Sequence, residues 1–331
     1  MQTELIEILR CPKTGERLRL EEPQYRDERI QSGWLVAESG THRYPIRDFI
    51  PRFAPESNYA DNFGMQWNAF RKTQLDSYSG QPISAKRFWV STGWRPEDFA
   101  GKYMLDAGCG AGRFAEIALQ AGAKLVALDY SNAVDACYAN LKHYPNLHVV
   151  QGNIYELPFP KGFFPFVYSF GVLMCTPNVE QAFAEIPPMV APGGRLCVDF
   201  YGLGFGTLFH AKWVFRPITK RIRPQALFRF LQSAVPLLLP VSQLLGSVPG
   251  VGVFLKRMIP VANHTGVYPL TAEQVKEWAL LDTFDMLAPK YDHPKPTAGR
   301  LRRWLEAAGL ADVEVFRAGH LIGRGSQLPR S

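Results

Sequence analysis

Residues 105–113, with the sequence LDAGCGAGR, decide the fold of this chain. The apolar run YMLDA ends within this stretch and a helix-like period follows it, so the glycines occupy a corner between a strand and a helix. Glycines at such a corner let the backbone pass beside a ligand without interference from Cβ atoms. A second apolar run ends at Asp129, about 20 residues after Gly108, the spacing at which a carboxylate meets ribose hydroxyls. Together these features predict a site for an adenosine-type cofactor.

The details of the same loop argue against two other classes of cofactor. A dinucleotide fingerprint has a third glycine at the position where this chain has Arg113. A phosphate-binding G-x-x-x-x-G-K-S/T motif does not occur in the sequence. We therefore expect neither a dinucleotide nor a nucleoside triphosphate at this corner.

Outward from this corner, apolar strand-like runs alternate with helical stretches over residues 102–200. This alternation is typical of a parallel sheet with helices on both faces. It resumes at Thr271, which with Gln274 predicts a capping box at the start of a helix. A further helix and two closing strands follow. We therefore predict a doubly wound, Rossmann-like α/β sheet.

Three segments flank or interrupt the predicted α/β domain, which we assign to residues 99–331. Residues 1–57 are rich in short strands punctuated by Gly and Pro, and predict a small module. Residues 58–98 contain aromatic, amphipathic stretches and predict a helical lead-in. Residues 201–270 break the alternation and predict a helical insertion after the fifth strand.

The composition is that of an ordered globular protein, with 331 residues of which 47% are hydrophobic and 20% are charged. The five cysteines are scattered and none forms a C-x-x-C pair, which disfavours a disulfide framework and fits a reducing compartment. The N-terminal stretch lacks an apolar run of the length that a signal peptide needs. We therefore expect a cytoplasmic protein.

The positive charge of the chain is concentrated in the insertion. The formal net charge is +7 and the pI is about 9.1, yet no acidic residue occurs between Asp199 and Glu273. The basic residues in that interval are Lys212, Arg216, Lys220, Arg221, Arg223, Arg229, Lys256 and Arg257. Without them bases and acids nearly balance, so we expect any anionic partner to meet this one segment.

Two interpretations of the insertion stay open. In the first, residues 205–260 lie on an anionic membrane, peripheral at its inner face, with the bases at headgroup level. In the second, the leucines form a helical cap over a substrate pocket and the bases face water. Pro236 and Pro240 interrupt the apolar run and predict that no helix here is long enough to span a membrane. Nucleic acid is disfavoured as a partner because PLLLPVSQLL is too apolar for a phosphate-binding groove.

The ordered set of motifs resembles the class I S-adenosylmethionine-dependent methyltransferases, of the type 11-like group. The motifs LDAGCGAGRFAEIAL, LVALDYS, VVQGNIYELPF, FVYSFGVLMCTPN and APGGRLCVDFYG follow one another over residues 100–200. The resemblance implies S-adenosylmethionine (SAM) as the cofactor. It also implies that Gly108 and Gly110 line the methionine moiety, that Asp129 holds the ribose, and that Asn153 with Ile154 faces the adenine edge. The other residues that we assign to the cofactor site on this basis are Asp106, Tyr130 and Phe170.

Residues 58–98 resemble the lead-in of bacterial methyltransferases that act on glycans and secondary metabolites. In those proteins an aromatic helix closes over the cofactor. By this resemblance, Gln66, Trp67 and Arg87 are candidates for a lid. The alternative is that Trp67 and Phe70 belong to an amphipathic stripe of the core.

Residues 1–57 resemble the Trm112-like domain through LIEILRCPKTGERLRL and THRYPIRDFIPRF. Relatives of this domain bind zinc through cysteines and activate methyltransferases. Here only Cys11, with His42 as a second candidate, stands near the expected positions, whereas a structural zinc site needs about four ligands. We therefore predict a metal-free, structural module.

A hydroxyl acceptor requires a base to take its proton, whereas a carbon or nitrogen acceptor need not. Several groups lie between the fifth strand and the last helix, on the side where open α/β sheets bind ligands. They are His210, His264, Asp282, Asp285, Tyr291 and His293. We select His293 and Asp285 as the catalytic candidates because DTFDMLAPKYDHP contains such groups at the highest density.

The sequence thus predicts a SAM-dependent methyltransferase that acts on a small-molecule, glycan or lipid-like acceptor bound under a helical cap. One alternative is an RNA methyltransferase, which the pI of about 9.1 and the Trm112-like module would suit. Another is a non-catalytic adapter with a methyltransferase fold. The acceptor, the atom methylated and the oligomeric state stay open at this point.

Overall fold

The computed structural model describes residues 1–201 and 211–329. The N-terminal part of the chain folds into an antiparallel sheet of four strands. Its elements are α1 Glu4–Ile8, β1 Leu18–Arg26, β2 Arg29–Ala37, β3 Arg43–Arg47 and β4 Ile50–Pro51. Directly after β4, Arg52 forms a parallel bridge with Gln151 and its guanidinium lies 2.6 Å from the Asp135 carboxylate. These contacts join the small sheet to one edge of the main sheet.

The lead-in is helical, and its helices are α2 Asp61–Ala69, α3 Asp76–Ser79 and α4 Ile83–Thr92. The helix α4 ends at Gly93, whose φ of +63° is in the left-handed region that glycine adopts readily. Phe88 of α4 is fully buried and packs edge-on against Tyr168 and Phe170 of the main sheet. This aromatic contact positions α4 beside the Gly-rich corner.

The main sheet has seven strands, which are β5 Tyr103–Ala107, β6 Lys124–Asp129, β7 Leu147–Gln151, β8 Phe164–Phe170, β9 Val190–Phe200, β10 Leu310–Ala318 and β11 His320–Gln327. Their spatial order is β10-β11-β9-β8-β5-β6-β7. The strand β11 is antiparallel to both of its neighbours, and the other pairs are parallel. The predicted doubly wound α/β sheet is confirmed, and so is the closing pair of strands.

The remaining helices are α5 Ala115–Gln120, α6 Ala133–Leu141, α7 Val179–Ala184, α8 Lys212–Thr219, α9 Pro224–Gly246, α10 Gly252–Leu255, α11 Ala272–Leu287 and α12 Ala298–Ala307. Successive residues of a strand face opposite sides of a sheet, and both sides of this sheet are buried. Leu105 packs in the core with the N-terminal sheet, α7 and α12, whereas Met104 packs with α4, α5 and α6. The helices therefore cover both faces.

The helix α11 begins with the capping box that the sequence predicts. The Thr271 hydroxyl accepts a hydrogen bond from the Gln274 backbone N–H, and the Gln274 side chain accepts one from the Thr271 backbone N–H. Trp278 of this helix is buried, and its indole N–H donates to the Thr73 carbonyl oxygen over 2.7 Å. The helix is thereby anchored to the lead-in.

The prediction that Pro236 and Pro240 leave no helix long enough to span a membrane is wrong for α9. This helix is continuous over 23 residues and contains both Pro236 and Pro240. Both prolines are on its exposed side, where the carbonyl groups that lose an intrahelical donor can be hydrated. Among the described residues, α9 is the one helix whose length and composition would allow it to cross a membrane, which by itself is weak evidence.

Candidate functional site

The Gly-rich loop between β5 and α5 requires its glycines. Gly108, Gly110 and Gly112 have φ values of +107°, +52° and +94°, in the region that favours glycine. A Cβ atom at residue 108 would clash with the Val172 side chain, and one at residue 110 would lie 3.2 Å from the indole nitrogen of Trp67. The loop backbone therefore runs directly beneath α2.

The Asp129 carboxylate meets this loop because the carboxyl ends of β5 and β6 share one edge of the sheet. One oxygen accepts a hydrogen bond from the Gly110 backbone N–H over 2.9 Å. The other accepts from the backbone N–H and the hydroxyl of Ser131, over 2.8 Å and 2.7 Å. Burial raises the pKa of Asp129, and these hydrogen bonds act against the rise. The carboxylate is thus fixed in orientation before any ligand binds.

A cavity of about 700 Å³ opens over the loop and Asp129. It brings together most of the residues that the sequence analysis assigns to the site, from the sheet edge, the lead-in and α11. Those that line it are Gly108, Gly110, Asp129, Tyr130, Ile154, Phe170, Gln66, Trp67, Arg87 and Asp285.

Two predicted cofactor residues do not line the cavity. Asp106 is buried inside the sheet, where it accepts a hydrogen bond from the Tyr168 hydroxyl over 2.8 Å. Burial raises the pKa of Asp106 to about 8. The side-chain oxygen of Asn153 accepts a hydrogen bond from the Tyr155 backbone N–H. This hydrogen bond stabilises the turn after β7. The structure thus gives both residues supporting roles.

The structure also places His293 outside the cavity. Its backbone N–H donates to the Met174 carbonyl oxygen over 2.9 Å, and its ring stacks on Tyr291 at a centroid distance of 5.9 Å. Of the other groups named with it, His210 lies outside the described residues. Asp285, in contrast, faces the cavity from α11 beside Gln66.

Two polar features suit a cofactor with polar edges. Gln66 is fully buried, lines the cavity, and neither polar atom of its amide has a hydrogen-bond partner among the described residues. Buried amides are normally satisfied, and this one lies beside Asp285, so both groups are placed to meet a polar edge of a bound molecule. The glycine loop and the Asp129 carboxylate supply the close backbone approach and the ribose acceptor of an adenosine-type cofactor. The residues present therefore fit SAM.

Arg87 is held by an ion pair at the rim of the cavity. Its guanidinium lies 2.5 Å from the carboxylate of Asp199, which is fully buried at the end of β9. The other oxygen of Asp199 accepts from the Gly171 backbone N–H over 2.7 Å. The pair fixes α4 to the strand end, so Arg87 has a structural partner as well as a place in the cavity wall.

Arg113 is one of the residues of the cavity wall that the sequence analysis did not assign to the site. Arg113 donates to the Ser84 hydroxyl and to the Gln74 amide oxygen, over 2.8 Å and 3.0 Å. Burial, and then the nearby positive charge of Arg87, lowers the pKa of Arg113 to about 10. The sequence signal that could have identified Arg113 is its position, because a dinucleotide fingerprint has a glycine there.

His264 and Asp282, which the sequence analysis names among six possible bases, form a pair in the wall. His264 Nε2 lies 2.6 Å from Asp282 Oδ2, and both residues line the cavity. Asp282 also accepts a hydrogen bond from the Gln74 amide over 3.3 Å. The imidazole ring packs against Tyr268 and against the edge of Trp278.

No metal centre is evident in the described part of the chain, where no group of three or more His, Cys, Asp or Glu is placed to hold an ion. In the N-terminal sheet, the Cys11 sulfur lies 3.3 Å from the Tyr44 hydroxyl, and His42 stacks on the same tyrosine. The resemblance of this module to the Trm112-like domain stays a prediction.

The protonation of Asp285 should make stability depend on pH. Burial, followed by the negative charge of Asp282, raises the pKa of Asp285 from its ordinary 3.8 to about 7. Between these values the folded chain keeps a proton that the unfolded chain has lost, so the free energy of unfolding falls as pH rises from about 4 to about 7. We expect Asp285→Asn to reduce this slope, to which Asp106 also contributes, and to add about 1–2 kcal/mol at pH 8, because cavity water already solvates part of the charge.

Urea unfolding at pH 5 and at pH 8 would measure this effect. Glu97→Gln, at an exposed acid, is the matched control and should follow the parent protein at both pH values. An Asp285→Asn variant no more stable than the parent at pH 8 would contradict the raised pKa.

The strand order, the Gly-rich corner and the carboxylate at the next strand end define a class I SAM-dependent methyltransferase domain. Consistent with this, residues 105–198 match the methyltransferase domain family. The cofactor of this class is S-adenosylmethionine.

The chain is similar to several known methyltransferases. It is 28% identical over 219 residues to an uncharacterised chloroplastic methyltransferase of Arabidopsis thaliana. The matched region covers 61% of this chain and 56% of that protein. It is 32% identical over 99 residues to a sterol 24-C-methyltransferase of Pneumocystis carinii, covering 28% and 26% of the two chains. The chain thus spans about half or less of the length of these relatives.

A solved structure of the magnesium protoporphyrin IX methyltransferase of Synechocystis PCC 6803, with bound S-adenosylhomocysteine, superposes with a TM-score of 0.45. It is 14% identical in sequence, and the superposition covers 81% of this chain and 96% of that chain.

Proposed function

We propose that the protein transfers a methyl group from SAM to a small-molecule, glycan or lipid-like acceptor. The observation that carries this proposal is the continuity of the cavity. It is lined by the Gly108 loop and Asp129, and also by an apolar, aromatic wall of Tyr268, Trp278 and Leu281. A cofactor bound at the loop would therefore share one cavity with this wall. The likeness to a sterol methyltransferase supports an acceptor of lipid-like character.

The helical cap takes a layered form in this proposal. The cavity is lined by α11 and by the segment that contains His264 and Tyr268. The leucines of α9 do not line it, because Leu231 and Leu239 pack on the outer side of α11. In this arrangement α11 is the cap, and α9 braces it from outside.

The chain's own residues would bind and align the two reactants. Asp129 accepts the ribose hydroxyls, Gln66 offers its unpaired amide, and the Trp67 indole covers the loop. When bound, the cofactor supplies a methyl group attached to a positively charged sulfur. Because charge becomes more dispersed during such a transfer, alignment and exclusion of water are the main requirements. The buried aromatic wall meets both.

The pair of His264 and Asp282 is the best-placed base for a hydroxyl acceptor. Because Nε2 of His264 is turned toward the Asp282 carboxylate, Nδ1 is the nitrogen left to act as the base. Asp282 is itself oriented by the Gln74 amide. The base is therefore fixed by neighbours on both α11 and the lead-in, as a general base requires.

We expect His264→Ala to lower the rate of methyl transfer to a hydroxyl acceptor by about 100-fold, the lower end of what a general base contributes. Affinity for S-adenosylhomocysteine should stay within about twofold, since the contacts of His264 are with Asp282, Tyr268 and Trp278 and not with the glycine loop. His143→Ala, at a histidine that packs on Tyr144 outside the cavity, is the control. A larger loss in His293→Ala than in His264→Ala would assign the base to His293 instead.

The proposal is tested by incubating the protein with methyl-tritiated SAM and three substrate pools. These are a total bacterial lipid extract, a soluble glycan and metabolite fraction, and bulk RNA. We expect label in the lipid or small-molecule pools. Label mainly in RNA would overturn the acceptor class, and tight S-adenosylhomocysteine binding without label in any pool would favour an adapter.

A further inference from the structure

We propose that the outer surface of the insertion docks on an anionic phospholipid membrane. The helix α9 has two apolar stripes on opposite sides. One stripe packs on α11 and is buried at Leu227, Leu231, Val235 and Leu239. The other stripe faces outward, and its members Phe230, Leu237 and Leu244 are 66%, 75% and 72% exposed. An outward apolar stripe of this kind needs a partner outside the chain.

Exposed apolar residues also occur on the helices that flank α9 in the sequence. On α8, Val214 and Ile218 are 72% and 65% exposed, and on the side of α10 Val253 and Met258 are both 59% exposed. Here α8 packs on α11 through Arg216, which donates to the carbonyl oxygens of Met286 and Pro289, and turns its apolar residues away. Elsewhere in the described ranges the exposed large apolar residues are scattered over several separate elements. We call these outward residues of α8, α9 and α10 the outer face.

The charge carried by the segment that forms the outer face is entirely positive. Lys220, Arg221 and Arg223 lie at the junction of α8 and α9, and Arg229 follows within the first turns of α9. All four are exposed, and none forms an ion pair within residues 1–201 and 211–329. Since the sequence has no acid between Asp199 and Glu273, nothing within the segment neutralises them. Exposed apolar side chains with a cluster of bases at one end of the helix match acyl chains beneath anionic headgroups.

The same charge argues against other partners. A second copy of this chain on the outer face would bring two sets of bases together with no intervening acid, at a cost in repulsion. A nucleic acid would meet the bases but would leave the exposed leucines in water. A spanning position for α9 would strip Leu231 and Val235 from α11, where they are 4% and 1% exposed. A helix lying in the interface keeps the inner stripe packed and buries only the outer one.

The geometry therefore assigns the protein to the surface of a membrane, with the sheet held above it. This inference does not depend on the transfer reaction, because it rests on surface residues that do not line the cavity. It deepens the proposed function in one respect: a lipid-like acceptor would be drawn from the same surface on which α9 rests.

Vesicle sedimentation with the full chain tests the inference. The vesicles are phosphatidylcholine alone and phosphatidylcholine with about 30% phosphatidylglycerol. We expect binding to the anionic vesicles that falls at least about tenfold between low and high salt, and weak binding to the neutral ones. Leu237→Glu/Leu244→Glu and Lys220→Gln/Arg221→Gln/Arg229→Gln should each lose about tenfold or more in affinity.

Matched controls separate the outer face from general surface effects. Tyr25→Glu/Val90→Glu changes two exposed apolar residues elsewhere, 57% and 56% exposed, and Arg26→Gln/Lys142→Gln/Arg303→Gln removes three exposed bases elsewhere. Both should bind anionic vesicles like the parent. Unchanged binding by the outer-face variants would overturn the inference, as would a parent dimer that these variants convert to monomer. The affinity of every variant for S-adenosylhomocysteine should equal that of the parent. Cofactor binding and membrane binding are then tested independently, so a failure of one does not imply a failure of the other.

Discussion

Asp129→Ala is expected to weaken binding of S-adenosylhomocysteine by at least about 100-fold. In this chain the Asp129 carboxylate is half-buried, and its orientation is fixed by the Gly110 and Ser131 donors. Such a carboxylate accepts hydrogen bonds from both ribose hydroxyls without any reorganisation. Each hydrogen bond to a charged group contributes about 1.5–3 kcal/mol, so the loss of two gives at least about 3 kcal/mol. Isothermal titration calorimetry measures the change directly.

The control for this prediction is Ser131→Ala. It removes one hydroxyl that holds the carboxylate but leaves the carboxylate in place, so affinity should fall less than about tenfold. Circular dichroism would establish that both variants are folded. Affinity of Asp129→Ala within about threefold of the parent would contradict the assignment of this acid to the ribose.

Arg87→Met is expected to lower the free energy of unfolding by about 3–5 kcal/mol. The substitution keeps the length and apolar stem of the side chain but removes the positive charge beside Asp199, which is 0% exposed. A buried carboxylate without its partner carries an uncompensated desolvation cost of this size. Chemical denaturation at pH 7 would report the loss as a lower midpoint with little change in slope.

The double variant Arg87→Met/Asp199→Asn separates charge from packing. An amide can still accept from the Gly171 N–H but carries no charge, so most of the lost stability should return. The exposed pair of Arg300 and Glu180, whose side chains are 54% and 59% exposed, offers a comparison, because Arg300→Met should cost less than about 1 kcal/mol. Equal losses at the two arginines would contradict a special role for burial.

The sequence predicts those site residues whose positions follow from the order of strands and helices alone. Gly108 and Asp129 each end a strand, and parallel strands with helical crossovers bring their carboxyl ends to one edge. No information about distant contacts is needed to place them together. The same reasoning gives the sheet, since runs such as KLVALD are apolar throughout and recur between helices.

The remainder of the site depends on contacts far apart in sequence. Gln74 meets Asp282 only because α11 packs on the lead-in through Trp278, and no local pattern encodes that contact. The density of polar groups in DTFDMLAPKYDHP led to Asp285, which lines the cavity, and to His293, which does not. A histidine's usefulness depends on whether it faces the cavity, and the ring of His293 instead stacks on Tyr291. The continuity of α9 through two prolines was likewise decided by which side of the helix faces outward.

The helix α11 has consequences for how relatives of this chain can diverge. One side of it, at Trp278, Asp282 and Asp285, lines the cavity, and another side, at Val275 and Ala279, receives the leucines of α9. A change of residue volume beneath α9 therefore alters the tilt of a helix that carries the acceptor wall. Substitutions on α8 and α9 and substitutions that change the proposed acceptor would therefore affect one another through α11. Substitutions on its two sides should covary across an alignment, whereas those in the glycine loop should not vary with either.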